Sequence, residues 1–260
     1  MSKLTIAIFL TTILALAATA QTPTPTPVDP LTAEKQRADR LQERYNTYAN
    51  WGRYSPANAK LAPPAKGEDR VVFMGDSITD GWKLDQYFPG MPYVNRGISG
   101  QTTSQMLLRF RPDVIDLQPK VVVILAGTND IAGNTGPISL ETIEGNYASM
   151  IDLALAHHIN VVFSSVMPVS DYNKNAQGAQ VIRTVQRQPA QILALNAWIK
   201  KTCDERGLVY LDYFPVMADE KGFLKAEIAN DGLHPNAKGY ELIKPVAAEA
   251  IKKALKMKMK

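Results

Sequence analysis

The chain alternates between short apolar runs and longer segments of helical character, and this alternation restricts its possible folds more than any other feature. The run at 121–126 is apolar throughout, as a strand buried on both faces should be. The five predicted strands cover 70–74, 93–95, 121–126, 161–166 and 208–212. The predicted helices cover 103–117, 139–158, 180–206 and 237–256, the last with a kink or a late start at Pro245. Strands that alternate with helices predict an α/β protein, a three-layer α/β/α sandwich on a five-stranded parallel sheet.

The first 69 residues do not follow this alternation. Residues 1–20 combine an early lysine, a short apolar stretch and a small-x-small ending, which predicts a cleavable signal peptide. The alternative, a membrane anchor, is disfavoured because the apolar stretch is short for a span. Residues 21–30 form a Thr/Pro-rich linker. Residues 31–69 are predicted to contain an N-terminal helix, at about 32–48, and a loop, which leaves 70–260 as the main domain.

Charge and cysteine content indicate which partners and which cellular compartment to expect. The net charge of +4 falls to +3 without residues 1–20, which hold one lysine and no acid. We see no basic stripe with interleaved aromatic residues, so we expect no nucleic-acid partner. The single cysteine, Cys203, excludes an intrachain disulfide. We therefore expect a secreted or periplasmic bacterial protein without a stable membrane anchor.

Polar segments follow the first two predicted strands. GDSITDG places Ser77 on a turn at a strand end, where its backbone N–H could face an oxyanion. NRGISG ends at Gly100, and its glycines allow a sharp turn with a backbone N–H free to approach a substrate. Either segment alone could be an ordinary turn between a strand and a helix.

Two further segments supply an amide and an imidazole. GTND, after the third strand, places Asn129 where its side-chain N–H could donate to an oxyanion, although Asn-Asp also suits a plain turn. DGLHP places Asp231 three residues before His234, so that the acid could hold one ring nitrogen while the other faces a nucleophile. The other histidines, His157 and His158, are predicted to end a helix, where positive charge is favoured.

Together and in this order, the four segments resemble the motifs of the GDSL-type esterase/lipase family, also called SGNH hydrolases. The resemblance covers about residues 70–257, with GDSI where the family name has leucine in the last place. It implies the flavodoxin-like SGNH hydrolase fold, with 70–260 as the catalytic domain. It also implies the site: Ser77 as nucleophile, His234 as base, Asp231 as acid, and Gly100 and Asn129 as backbone and side-chain oxyanion donors.

This resemblance implies a serine hydrolase that acts on ester bonds without a cofactor. His234 takes the proton of Ser77 as Ser77 attacks the ester carbonyl, while Asp231 orients the imidazole. The N–H of Ser77 joins Gly100 and Asn129 in binding the oxyanion. G-x-S-x-G, a phosphate-binding P-loop and a metal-binding H-E-x-x-H motif are absent from the sequence, so no metal is predicted.

The expected partner is an ester substrate, either a small molecule or a polysaccharide. The loop after the fourth strand, 168–188, is polar and should lie beside the site, which favours a short acyl group, acetyl above all, on a hydrophilic alcohol. Trp82 and Tyr172 could stack on sugar faces or could be packing residues.

Three alternative functions fit parts of this pattern. A lysophospholipase-like lipid esterase is the alternative enzyme. A non-catalytic binding module on the same fold predicts damage to the serine, asparagine, aspartate or histidine, and all four are present. A CoA thioesterase is disfavoured for an exported chain because CoA esters are cytosolic.

Overall fold

The computed structural model describes residues 29–257, which divide into two compact units. One unit ends at Asn46 and the other begins at Thr47. The described part of the first unit is dominated by helix α1, Pro30–Asn46, where the sequence predicted a helix at about 32–48. The second unit contains the sheet and all the motifs identified in the sequence.

The segments expected to direct export lie largely outside the described residues. These are the signal peptide, 1–20, and the linker, 21–30, of which only Asp29 and Pro30 are described. Within the described part of the chain, no helix is both long enough and apolar enough to cross a lipid bilayer.

The second unit is built on five parallel strands in the order β2-β1-β3-β4-β5. The strands are β1, Val71–Gly75; β2, Tyr93–Gly97; β3, Val121–Leu125; β4, Asn160–Ser164; and β5, Val209–Leu211. This strand order is that of flavodoxin-like sheets, in which binding sites lie beyond the carboxyl ends of the strands. The predicted fold is confirmed.

Alternate side chains of the inner strands pack into two separate cores. In β1, Val72 and Met74 join the core on one face, and Val71 and Phe73 join the core on the other. Because successive side chains of a strand point to opposite faces, a strand covered on both faces must be apolar throughout. The continuous apolar runs in the sequence therefore reflect a sheet enclosed between two helical layers.

Helices cover both faces of this sheet. They are α2, Ser55–Lys60; α3, Ser77–Asp80; α4, Leu84–Tyr87; α5, Thr103–Leu108; α6, Phe110–Asp113; α7, Thr128–Ile131; α8, Leu140–Ala156; α9, Pro189–Arg206; α10, Phe214–Met217; and α11, Ala237–Leu255, with 3-10 turns at Ile115–Leu117 and Ala226–Ile228. The last helix starts at Ala237 and continues past Pro245, so the late start that this proline could have imposed is not observed.

Two predicted helices are wrong in extent. The segment 103–117 forms α5, α6 and a 3-10 turn, because Pro112 lacks the N–H that would continue the helix. The segment 180–206 is helical only from Pro189. A proline disfavours helical geometry in the residue before it, and the backbone N–H groups of Val181, Arg183 and Thr184 donate to Asn173 or Asp171 instead.

Candidate active site

The motif segments meet at the carboxyl edge of the sheet. The segments after β1, β2 and β3 start at one level, because Gly75 lies opposite Gly97 on one side and Leu125 on the other. The fourth segment precedes α11 and lies over this edge, where His234 contacts Ser77. Parallel pairing in this register therefore gathers residues that are far apart in sequence.

Ser77 is the first residue of α3, on a tight turn from strand to helix. The Asp76 carboxylate caps this helix by accepting a hydrogen bond from the Ile78 N–H at 2.9 Å. Among the described residues, the Ser77 N–H has no acceptor and remains available to an oxyanion. The turn needs Gly75, since a Cβ there would lie 2.1 Å from Thr79 Oγ1.

Ser77, His234 and Asp231 form one hydrogen-bonded chain. Ser77 Oγ lies 2.9 Å from His234 Nε2, and His234 Nδ1 lies 2.9 Å from Asp231 Oδ2 and 3.1 Å from Oδ1. A charged carboxylate beside Nδ1 assigns the ring hydrogen to that nitrogen. Nε2 then carries a lone pair that can accept the hydroxyl proton of Ser77.

Asp231 is held in its charged form. Partial burial pushes its pKa upwards, but hydrogen bonds from the side chain and backbone of His234, the His234 charge and the Arg183 charge outweigh this effect. The net result is a pKa well below the ordinary value of an aspartate. Arg183 contacts the residue twice, through Nη2 to Oδ2 and through Nε to the backbone carbonyl at 3.0 Å.

The loop after β2 presents the Gly100 N–H. Asp80 fixes this loop by accepting hydrogen bonds from Ser99 Oγ at 2.7 Å and from Ser99 N at 3.3 Å. Gly100 has φ +81°, and its carbonyl accepts from Asn134 Nδ2 at 2.9 Å. Its own N–H has no acceptor within the described part of the chain. The geometry leaves this donor available to a ligand.

Asn129 is buried at the carboxyl end of β3 with its amide held at both ends. Its Nδ2 donates to the Gln101 carbonyl at 3.1 Å, and its Oδ1 accepts from Arg187 Nη2 at 3.2 Å. One of the two N–H bonds on Nδ2 therefore remains unused. The preceding Gly127 has φ +100°, and a Cβ there would lie 2.8 Å from Tyr147 Oη.

Asp76 differs from Asp231 in being fully buried. Burial raises its pKa to about 6, against the hydrogen bond from Ile78 and the charges of His234 and Arg187. Its Oδ2 has no hydrogen-bond partner among the described residues. The carboxyl next to Ser77 thus binds a proton more readily than a surface aspartate does.

Ser77 and His234 line an open cavity of about 690 Å³. Its other polar side chains come from Asp80, Lys83, Gln86, Ser99, Asn230 and Asn236, and its aromatic side chains from Tyr87 and Tyr240. These tyrosines were not singled out from the sequence. Tyr87 belongs to the short helix α4, which the sequence pattern did not reveal.

The proposed stacking role of Trp82 is wrong. Its side chain is 3% exposed and packs against Phe73 and Tyr240 in one of the two cores. Tyr172 is 44% exposed, but it lines a separate cavity of about 660 Å³ and donates a hydrogen bond to Asp219 at 2.9 Å. A sugar-binding role for Tyr172 stays a prediction.

Sequence reasoning also missed Arg183 and Arg187 as partners of Asp231 and Asn129. Both lie in the loop 168–188, whose polarity was evident but whose path was not. Nothing in the local spacing indicates which arginines turn towards the site. Among the described residues, no group of histidine, cysteine, aspartate or glutamate side chains is arranged to hold a metal ion.

Comparisons with known proteins identify the family of this chain. Residues 73–242 match the family model described as GDSL-like Lipase/Acylhydrolase family. A solved structure described as an acylhydrolase of Bacteroides fragilis is 39% identical, with a TM-score of 0.73, over 80% of this chain and 99% of that chain. A GDSL-like lipase of Bacteroides thetaiotaomicron is 41% identical, with a TM-score of 0.72, over the same shares of each chain.

A curated relative gives a more partial match. It is an uncharacterised lipoprotein, YqeF, of Bacillus subtilis, 32% identical over 127 residues. The match covers 42% of this chain and 52% of the relative, so the chain spans about half the length of that protein. The family model and the two Bacteroides structures, in contrast, cover most of the sheet-containing unit. The chain therefore belongs to the GDSL-like lipase/acylhydrolase family, whose members are ester-hydrolysing enzymes.

Proposed function

We propose that this protein is an exported serine esterase that removes short acyl groups, acetyl above all, from a hydrophilic alcohol such as a polysaccharide. Ser77 is the nucleophile, His234 the general base and Asp231 the residue that orients it. The observation that carries the proposal is the continuous chain of hydrogen bonds from Ser77 Oγ through both nitrogens of His234 to Asp231.

The reaction proceeds in two halves. Ser77 Oγ attacks the ester carbonyl carbon while its proton passes to His234 Nε2, and the carbonyl oxygen becomes an oxyanion. The imidazolium then protonates the alcohol oxygen, the bond from carbon to that oxygen breaks, and an acyl-serine remains. Water, deprotonated by His234, attacks the acyl-serine and releases the acid and free Ser77. Asp231 stays charged throughout and stabilises the imidazolium.

Three donors bind the oxyanion: the backbone N–H of Ser77, the backbone N–H of Gly100 and the unused N–H on Asn129 Nδ2. Support for these roles comes from the two backbone groups that lack an acceptor among the described residues and from the fixed amide of Asn129. Donors held in place before the reaction do not have to reorganise as charge develops, which is why they accelerate it.

The cavity supports the proposed substrate class. Six of its lining side chains are acidic, basic, amide or hydroxyl groups in addition to Ser77 and His234. A long acyl chain would gain about 0.8 kcal/mol for each methylene buried on an apolar wall. The side chains around this cavity are a mixture of polar groups and two tyrosines, and tyrosines suit contact with sugar rings.

Ester panels test the proposal. We expect kcat/KM on 4-nitrophenyl esters to be highest at two carbons and to fall with chain length. Acetate release from acetylated xylan or pectin tests the alcohol side. Rates that rise steadily to twelve carbons contradict the short-acyl proposal. If no ester is hydrolysed, the proposed esterase activity is contradicted and a binding module is favoured.

A lipid esterase is the second candidate, because two apolar side chains are exposed on the loop beside the site. Ile182 is 50% exposed and Val185 is 72% exposed. Both could contact a long acyl chain. The variants Ile182→Ser and Val185→Ser separate the candidates, since they should lower only long-chain activity if a lipid is the substrate and leave acetyl ester hydrolysis unchanged.

Export is proposed from the sequence of residues 1–20, and the name of the Bacillus relative, a lipoprotein, supports an exported product. Expression of the full chain in a bacterial host tests this. We expect the mature protein outside the cytoplasm, with Gln21 as its first residue. Recovery from the cytoplasm with residues 1–20 intact contradicts export.

A further inference from the structure

A single turn in the loop after β4 presents two arginines to the site. The carboxylate of Asp171 accepts hydrogen bonds from the backbone N–H of Arg183 at 2.6 Å and of Thr184 at 3.0 Å, and from Thr184 Oγ1 at 2.6 Å. The Arg187 N–H then bonds to the Arg183 carbonyl at 2.9 Å and closes the turn. The two side chains therefore leave one fixed piece of backbone.

Arg183 binds Asp231 at two points. Its Nη2 donates to Oδ2, the same oxygen that lies 2.9 Å from His234 Nδ1, and its Nε donates to the Asp231 carbonyl at 3.0 Å. Contacts to side chain and backbone together fix the carboxylate in one rotamer. This rotamer faces the imidazole, and in it Oδ1 also accepts hydrogen bonds from the backbone N–H groups of Leu233 and His234, so Arg183 is the partner that holds Oδ2.

Arg187 binds Asn129 from the other end of the turn. Its side chain is buried, with 6% of the residue exposed, and Nη2 donates to Asn129 Oδ1 at 3.2 Å. Because a cation holds the amide oxygen, the amide nitrogen must point the opposite way. The same cation draws electrons from the amide and makes its N–H a stronger donor.

Arg187 makes fewer hydrogen bonds than two other buried arginines of this protein. Arg70 and Arg109 are also buried, but each donates from all three guanidinium nitrogens. The Nε of Arg187 has no partner, and Arg187 forms no ion pair among the described residues. Burial of a guanidinium so sparsely bound is unfavourable for folding. Packing alone therefore does not explain Arg187, whereas a task at Asn129 does.

We propose that Arg183 and Arg187 are positioning residues, which act through Asp231 and Asn129 respectively and couple the acid–base residues to the oxyanion donors through one turn. The proposal rests on the proposed function. Neither arginine has to touch the substrate. Arg183 keeps the carboxylate against His234, and Arg187 keeps the amide N–H directed at the developing oxyanion.

A set of double-mutant cycles tests the proposal with an acetyl ester. We expect Arg187→Met and Arg183→Met each to lower kcat about 10- to 100-fold with little change in KM. In a matched pair, the residue that the arginine is proposed to position is replaced as well, so the arginine has nothing left to position. Arg187→Met should thus change kcat less than about threefold in the Asn129→Ala background, and Arg183→Met likewise in the Asp231→Ala background.

Crossed pairs, in which an arginine is combined with the residue that the other arginine positions, supply the comparison. Arg187→Met combined with Asp231→Asn should lose the product of the two separate effects. Arg111→Met, at an arginine whose side chain is 58% exposed, should leave kcat unchanged. Arg187→Lys, which keeps the charge, should recover part of the kcat lost in Arg187→Met. It also serves as the second variant if the methionine variant does not fold, as judged by circular dichroism.

The outcomes separate this proposal from the proposed function. Losses that multiply in matched and crossed pairs alike contradict positioning, as do losses that simply follow the melting temperature. An active Ser77→Ala variant contradicts the proposed function itself. An inactive Ser77→Ala variant without the matched-pair pattern contradicts only the positioning role of the arginines.

Discussion

The two halves of the site differ in how they are held. The half proposed to bind the oxyanion is mostly buried: Asn129 is 3% exposed and Asp76, next to Ser77, is fully buried, whereas Gly100 lies on an exposed turn. The acid–base half lies on a surface loop, where the side chains of Asp231 and His234 are 27% and 36% exposed. Strand ends hold the first half, and polar partners from a neighbouring loop hold the second.

This difference suits the chemistry. Oxyanion donors act best when they are fixed and shielded from water, which the buried strand end that carries Asn129 provides. A base must exchange protons with the nucleophile, the leaving alcohol and water, which requires partial access to solvent. The loop that carries His234 is nevertheless tied down, since the Ser170 N–H donates to the Gly232 carbonyl at 2.9 Å.

The two aspartates on either side of the site show the same contrast in their electrostatics. Burial raises the pKa of Asp76 to about 6. The pKa of Asp231 lies below its ordinary range, because hydrogen bonds from His234 and the charges of His234 and Arg183 outweigh its partial burial. A carboxyl inside the core favours its protonated form, and one at the surface with donors around it favours its charged form.

The largest expected effect comes from removing the Ser77 hydroxyl, the group on which both halves of the site are proposed to act. Ser77→Ala should lower kcat on an acetyl ester by about 10⁴-fold or more, since residues that act as a unit fail together when the nucleophile is lost. Circular dichroism should show an unchanged fold. A variant that keeps more than about a tenth of the wild-type kcat contradicts the proposed role of Ser77.

The acid–base half is tested next by Asp231→Asn. An amide in this place can donate to Nδ1 and so move the ring hydrogen to Nε2, where it blocks proton transfer from Ser77. We expect kcat to fall about 10³- to 10⁴-fold. Steady-state kinetics measure this loss, and a reduction of less than about tenfold shows that His234 does not depend on Asp231.

The oxyanion half is tested by Asn129→Ala. We expect kcat to fall about 10²- to 10³-fold, as is typical when one donor is lost. KM should change little, because the donor binds mainly the charge that develops in the transition state. A large rise in KM at unchanged kcat makes Asn129 a ground-state binding residue instead.

The smallest expected effect is on stability, and it has opposite signs in the two halves. The folded pKa of Asp76 exceeds its unfolded value, so the folded state holds a proton that the unfolded state has lost. Between pH 4 and 6 this lowers the free energy of unfolding as pH rises, by up to ~3 kcal/mol. Asp76→Asn should remove this dependence and gain stability over wild type as pH rises through that window.

Asp231→Asn should behave in the opposite way. The folded pKa of Asp231 is depressed, so its contribution is present above the unfolded pKa and is lost as pH falls through the folded pKa. This variant should be less stable than wild type at neutral pH and approach it in acid. Urea unfolding at several pH values measures both effects, with Asp85→Asn, on an exposed residue, as the control. If the stability difference from wild type changes with pH in the same direction for both variants, the opposite electrostatics of Asp76 and Asp231 are contradicted.

Much of the buried half could be predicted from the sequence. The inner strands β1 and β3 are buried throughout and form continuous apolar runs, and each predicted strand lies within two residues of the observed one. Parallel strands end at one edge of the sheet, which is why the turns after three of them could be grouped before their geometry was known. The identity of Ser77, Gly100 and Asn129 as candidates came from that grouping and from the family resemblance.

The surface half was less predictable. The path of residues 168–188 depends on hydrogen bonds to Asp171 and Asn173, and such bonds have no periodic signature in a sequence. Arg183 and Arg187 therefore looked like ordinary loop residues. The stacking role predicted for Trp82 was wrong for a related reason. A large aromatic residue after a turn can face either water or the core, and the observed packing of Trp82 on Tyr240 places it in the core.

Covalent labelling tests the central claim, that the two halves converge on Ser77 as an activated nucleophile. A fluorophosphonate probe reacts with a serine whose proton is removed by a neighbouring base, and peptide mass spectrometry locates the adduct. We expect one adduct per chain, on the peptide that contains Ser77, with ester hydrolysis lost in proportion to labelling. An adduct on another residue, or full labelling with undiminished hydrolysis, contradicts the claim.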